Sequence, residues 1–92
     1  MTDQEIIALL SEAFVHVDPA MTAFASELTP ATSLRQIDSV VLIGVVGYVE
    51  ERLEGEVEDD ALQTIYTVAD FVKLVKHTRI QAIANRHASR ST

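Results

Sequence analysis

Ser39 stands directly after Asp38 and opens an apolar run, Val40-Val41-Leu42-Ile43-Gly44-Val45-Val46-Gly47-Tyr48-Val49, near the middle of a small acidic chain. A serine hydroxyl at such a place has two uses. It can cap a helix, a role for which Asp38 and Ser39 are both suited and which contributes about 1 kcal/mol, or it can present an oxygen for modification. The other chemistry-bearing residues do not assemble into a catalytic set. His16, His77 and His87 lack metal-ligand spacing and read as solvated surface histidines. Glu50 and Glu51 are neighbours, and on a helix they point about 100° apart, poor geometry for a shared-proton carboxylate pair. The chain has no cysteine, which excludes disulfide staples, thiolate metal sites and a cysteine nucleophile.

At 92 residues the chain is expected to form one domain, with little buried volume for an enclosed active site, so catalysis by this chain alone is not expected. All 14 acidic residues lie at or before Asp70, where only Arg35 and Arg52 oppose them, leaving −12 over residues 1–72. Lys73, Lys76, Arg79, Arg86 and Arg90 return +5, for a total of −7. An acidic body repels nucleic acid and anionic lipid and favours encounter with basic protein surfaces. The spread-out cations suit a solvated helix C-terminus better than a nucleic-acid patch. The acidic start, Met1-Thr2-Asp3-Gln4-Glu5, is unlike a signal or transit peptide, and the longest apolar stretch, Val40 to Val49, is too short to span a bilayer. A soluble, cytoplasmic monomer that contacts neither nucleic acid nor membrane is expected.

The elements that must position Ser39 read as all-α. Thr2 with Glu5 forms a capping box, and Ile6, Leu9, Leu10, Ala13, Phe14 and Val17 recur at helical spacing, so a first helix is predicted to end near His16, before Asp18-Pro19. From there to Ile37 runs a connection of roughly 20 residues, long for a compact domain. Met21, Phe24, Leu28, Leu34 and Ile37 are placed to pin it to the core, with room for short helical turns. Residues 40–49 are β-branched and interrupted by Gly44 and Gly47, so propensity alone favours a strand. The cap at Asp38 or Ser39 and the continuation through Glu50-Glu51-Arg52-Leu53-Glu54 to Gly55, a residue suited to the C-terminal turn, decide for a helix. Leu42, Val45, Val46, Val49 and Leu53 then form its buried side, while Val40, Gly44, Gly47, Tyr48 and Glu51 face outward. A short third helix starts at Asp59 or Asp60 and is anchored by Leu62 and Ile65. Thr67, with Asp70 as a shorter capping-box acid, opens a fourth helix whose apolar side is Val68, Phe71, Val72 and Val75. Its charged continuation is expected to reach about Ala84, giving a domain over residues 1–84 and a frayed tail over 85–92.

In order and spacing, Asp38-Ser39-Val40, the acidic Val57-Glu58-Asp59-Asp60-Ala61, and Ile65-Tyr66-Thr67-Val68-Ala69-Asp70-Phe71-Val72 resemble the motifs of acyl carrier proteins. In that family the modified serine starts helix two, an acidic segment leads into a short helix three, and a Thr-Val-x-Asp or similar motif opens helix four. The resemblance covers residues 3 to 78 or so. It implies a four-helix acyl-carrier-like bundle with three longer helices and a short third one, and a protein that is not itself an enzyme. It implies that Ser39 Oγ accepts 4′-phosphopantetheine from coenzyme A, transferred by a magnesium-dependent phosphopantetheinyl transferase, with Asp38 in the recognition motif. The arm would hold acyl groups as thioesters for acyl-loading and acyl-processing enzymes. Ile65 and Val68 match positions that border the arm and cargo in the family, although ordinary core packing accounts for them as well.

The outward side of the central helix departs from the family. Fatty-acid carriers usually display acidic side chains there, whereas this chain offers Val41, Gly44, Gly47 and Tyr48, with Glu51 and Glu54 farther along. Each helical glycine costs about 1 kcal/mol relative to alanine, which points to a close-approaching partner or neighbouring helix, with simple tolerance as the alternative. Val40, Val41, Gly44, Tyr48 and Glu51 are therefore the expected partner-recognition residues. A specialised carrier for polyketide or related natural-product assembly fits them better than the housekeeping fatty-acid carrier. Two alternatives stand beside it: a peptidyl or aminoacyl carrier with the same modified serine, and a non-catalytic helical interaction domain in which Ser39 is only a cap.

Overall fold

The computed structural model describes residues 1–57 and 59–77. Helix α1 (Asp3–Val17) begins at the predicted capping box: the Glu5 N–H donates to Thr2 Oγ1 at 3.2 Å and the Thr2 N–H donates to Glu5 Oε1 at 2.9 Å. Ile6, Leu10, Ala13 and Phe14 are buried as their spacing requires, and Ile7 joins them, while Leu9 and Val17 are half-buried at the margin of the core. Asp18 ends the helix in extended backbone, and its carboxylate accepts from the Ala20 N–H at 3.1 Å, starting the 3-10 turn Pro19–Met21. That turn runs into the single-turn helix α2 (Thr22–Ala25), so the first part of the long connection is helical. Phe24 meets Phe14 edge to face at 5.4 Å, and the Ser11 hydroxyl donates to the Ala25 carbonyl at 2.9 Å. Leu34 is fully buried, with Met21, Leu28 and Ile37 packed at the edge of the core, so the five expected anchors do hold the connection down.

Helix α3 (Ser39–Leu53) forms across the β-branched run and packs on α1. Val45, Val46 and Val49 are buried. A valine costs only some tenths of a kcal/mol in a helix, up to about 0.7, whereas burying one stabilises by about 1.5–3 kcal/mol, so tertiary burial outweighs local preference. Leu42 and Leu53, expected inside, are only half-buried. The end of α3 also differs from expectation. Glu54, not Gly55, takes the left-handed turn, with φ 55°. Glu50 imposes this: its carbonyl accepts from the Glu54 N–H and, at 3.2 Å, from the Gly55 N–H, and its carboxylate accepts from the Val57 N–H at 2.7 Å. Reversing the chain one residue early is what brings Val57 back over Glu50.

The segment expected as a short third helix is a 3-10 helix, Asp59–Thr64, with Leu62 packed at the core's edge and Ile65 buried just after it. Helix α4 is described over residues 68–77 and buries Val68, Phe71, Val72 and Val75, the side its spacing predicts. Its start is a reciprocal capping box: the Asp70 N–H donates to Thr67 Oγ1 at 3.3 Å, and Asp70 Oδ2 accepts from the Thr67 and Tyr66 N–H groups at 3.1 and 3.0 Å. The connection before α3 completes the cap. The Val68 N–H donates to the Thr32 carbonyl at 3.0 Å and the Ala69 N–H to the Pro30 carbonyl at 2.9 Å. Leu34 N–H donates to the Tyr66 carbonyl at 2.8 Å beside a Ser33–Thr67 bridge. The described chain is all-α, with no strand and no helix long and apolar enough to cross a membrane. The expected continuation to Ala84 and the tail 85–92 lie outside the described residues.

Val46→Asp and Val49→Asp each place an unpaired carboxylate in the core and should abolish cooperative unfolding, whereas Ile43→Asp, on the exposed side, should shift stability by no more than about 0.5 kcal/mol. Circular-dichroism melts read both; a parent-like melt for either core variant would mean that the wrong side of α3 has been placed inside. A second expectation concerns acid. The Tyr66 and Thr67 N–H groups hold the Asp70 carboxyl below its ordinary value of 3.8. A carboxyl lowered in this way contributes stability above the ordinary value and loses it as pH falls through the folded one. Asp70→Ala should therefore be less stable than the parent above about pH 5, with the difference narrowing under more acid conditions; urea midpoints across that range measure it.

Candidate functional site

Ser39 is the first residue of the 15-residue helix α3 and is exposed. Asp38 is the N-cap: its Oδ1 accepts from the Val40 N–H at 2.8 Å, and its carbonyl accepts from the Leu42 N–H at 3.0 Å. The two capping candidates are thereby separated. Asp38 does the capping, and among the described residues no group hydrogen-bonds the Ser39 hydroxyl. No base is aimed at it either, so the arrangement offers an exposed oxygen at a positive helix end and not a pre-activated nucleophile.

The five expected partner-recognition residues do not share one surface. Val40 is 75% exposed and Glu51 is exposed, as expected. Val41, Gly44 and Tyr48 are half-buried, which corrects the expectation that they face outward. Val41 and Tyr48 pack against the core, and a Cβ on Gly44 would lie 3.2 and 3.3 Å from the Val17 methyls, so Gly44 marks close approach of α1 and not of a partner. Tyr48 is held from the α1 side: its hydroxyl donates to Glu12 Oε2 at 2.9 Å, and its ring lies 4.7 Å from that of His16. Arg52 donates to Glu12 at 2.7 Å and to the Tyr48 hydroxyl at 3.2 Å. The hydrogen bonds from Tyr48 and then Arg52 hold the Glu12 carboxyl below the usual range, and those with Tyr48 and Glu12 raise Arg52 further.

The outward side of α3 consists of Val40, Ile43, Gly47 and Glu51. Ile43, 59% exposed, was not singled out by the sequence, although its three-residue spacing from Val40 was the available signal. A Cβ on Gly47 would meet nothing within 4 Å. Ile65 and Val68 are in the core at 5% and 0% exposure, while Tyr66 between them is 51% exposed, with the Arg35 guanidinium 5.2 Å from its ring centre. No periodicity announced that pair. His16 and His77 are exposed, His87 lies outside the described residues, and no acid–histidine group suited to a metal occurs among the described residues. No family model, curated protein or solved structure matches the chain.

The two glycines give a paired test. Gly47→Ala should stabilise the domain by about 1 kcal/mol, the intrinsic helix gain, because the new methyl meets nothing. Gly44→Ala should gain less or lose, because Val17 must move to admit it. Denaturant midpoints compare them, and equal gains would show that Val17 yields freely.

Proposed function

We propose that this chain is an acyl carrier protein whose Ser39 bears a 4′-phosphopantetheine arm, and that it is not itself an enzyme. The observation that carries this reading is the division of labour at the start of α3. Asp38 caps the helix and leaves the exposed Ser39 hydroxyl unengaged among the described residues, so a substituent on Oγ would leave the cap bond to Val40 in place. Ser39 is the residue that would hold the arm, through a phosphodiester whose negative charge is favoured at a helix N-terminus. The arm, when attached, supplies a terminal thiol on which an acyl group travels as a thioester. The chain's own residues supply a rigid base, an accessible oxygen and an acidic body of −12 over residues 1–72 that favours basic protein surfaces. A phosphopantetheinyl transferase using coenzyme A and magnesium, and acyl-loading and acyl-processing enzymes, are the partners this requires. The apolar start of the outward side of α3 supports a specialised polyketide or natural-product pathway over general fatty-acid synthesis.

The exposed Val40 and Ile43 also favour a second reading, a helical interaction domain in which Ser39 is never modified. One experiment separates the two. The full chain is incubated with coenzyme A, magnesium and a broad-specificity phosphopantetheinyl transferase, and its intact mass is compared with an untreated sample. A mass increase in the parent, absent in Ser39→Ala of parent-like helical content, is expected. An unmodified parent, or a Ser39→Ala variant that still gains mass, would remove the carrier assignment. The mass of any native thioester distinguishes acyl from aminoacyl or peptidyl cargo.

A further inference from the structure

Three helix ends meet at one end of the bundle. Lys76, near the end of the described part of α4, pairs its Nζ with Asp3 Oδ1 at the start of α1, and Leu53, the last residue of α3, lines an open groove with Met1, Ala8, Leu9 and Glu12. The apolar lining of this groove is uncovered: Met1 is 44% exposed, and Leu9 and Leu53 are only half-buried. Its rim is acidic. Glu5 and Glu12 recur at helical spacing with Ala8 and Leu9, Glu54 follows Leu53, and Arg52, the cation lining the groove, is held by Glu12.

The sequence beyond the described residues has the complementary character. Residues 78–92 contain Arg79, Arg86 and Arg90 and no acid, which gives +3, whereas residues 1–77 set 14 acids against Arg35, Arg52, Lys73 and Lys76, which gives −10. The apolar side chains of 78–92 larger than alanine are Ile80 and Ile83. A straight continuation of α4 would leave both uncovered. At 1.5 Å per residue they would stand about 6 and 10 Å past Lys76, where only Met1 and Thr2 precede α1. The core-facing stripe of α4 also stops, because Val75 is followed at helical spacing by Thr78 and Arg79 while Ile80 falls on another side.

We propose that residues 78–92 turn back at the end of α4 and dock in the groove between α1 and α3 of the same chain, with Ile80 and Ile83 against Met1, Leu9 and Leu53 and with Arg86 toward Glu5 and Glu12. From residue 77 to Ile80 an extended chain spans about 10 Å, one interhelical distance, which carries Ile80 across the end of the bundle to Met1 and Leu53. Three further residues bring Ile83 to Leu9. The basic segment is drawn to this place by the acids around it. Ser39 lies at the other end of α3 and is left accessible, so the docking stands or falls separately from the carrier assignment.

The lack of cysteine gives the test a clean probe. A nitroxide is attached to Asn85→Cys in the full, isotope-labelled chain, and broadening of backbone amides is followed by NMR. Broadening centred on Ala8, Leu9 and Glu12 is expected. In the parent chain, without the nitroxide, nuclear Overhauser contacts are expected between the methyl groups of Ile80 and Ile83 and those of Met1, Leu9 or Leu53. Ile80→Ser together with Ile83→Ser should remove both signals while the amides of the buried Val46 and Val49 keep their positions. Broadening confined to residues 1–3 and 73–77 would overturn the inference by showing that α4 continues straight, and so would broadening undiminished by the two serine substitutions. A mixture of nitroxide-bearing chain without isotope label and isotope-labelled parent should show no broadening at Leu9 and Glu12. Equal broadening in that mixture would overturn the inference too, by making the segment of a second copy the occupant.

Discussion

The seam between α1 and α3 sets the rotation of α3, and the rotation decides almost everything else about this molecule. Gly44 lies where a side chain would press on the Val17 methyls, Tyr48 one turn later reaches Glu12 and stacks beside His16, and Arg52 after another turn reaches Glu12 again. Position numbers rise along α3 as they fall along α1, so the two helices run antiparallel. The seam directs Val45, Val46 and Val49 into the core and leaves Val40, Ile43, Gly47 and Glu51 on the far side. The Glu12–Arg52 pair is about half exposed on both sides, so its contribution is mainly to orientation, since exposed ion pairs add little stability.

A second constraint acts on the chain before α3. The N-terminus of α4 would leave backbone donors unpaired as the helix packs. Pro30 and Thr32 supply carbonyls to two of them, and Thr67 and Asp70 answer each other for the rest of the cap. The loop from 30 to 34 is therefore tied to residues 66–69, which buries Leu34 and sets Arg35 against Tyr66. Among the described residues no buried side-chain nitrogen or oxygen is left without a partner. Ser39 emerges a few residues after this anchored loop, at the end of a helix whose cap is already provided by Asp38, so its exposure is a consequence of fixed neighbours on both sides.

Local chemistry was legible in the sequence wherever the interacting groups lie within one helical turn. Thr2 with Glu5, Thr67 with Asp70, and Asp38 with Val40 are all contacts between residues two or three apart; the first two formed as expected, and the third decided between the two expected caps, Asp38 and Ser39. The buried sides of α1 and α4 followed from helical spacing for the same reason: one dominant apolar stripe leaves one way to turn the helix. The five apolar anchors of the long connection were also identifiable, because an apolar residue in an otherwise polar loop has few places to go.

On α3 that logic succeeded only in part: Val45, Val46 and Val49 are buried as their spacing predicted, but the run from Val40 to Val49 is apolar nearly all the way round, and periodicity alone did not place Leu42, Gly44 and Tyr48. The approach of α1 decided the rest, turning Gly44 and Tyr48 inward and leaving Ile43 and Gly47 outside. The same holds for the left-handed turn at Glu54, which depends on Glu50 reaching Val57 seven residues on, and for the Arg35–Tyr66 pair, which depends on the loop bound to α4. What the sequence determined by itself was the helical class, the capping boxes that start α1 and α4, and a serine at the start of a helix, all products of short-range bonds. Which surface surrounds that serine was decided by tertiary packing, because two helices must share one seam and the remaining residues take the space it leaves.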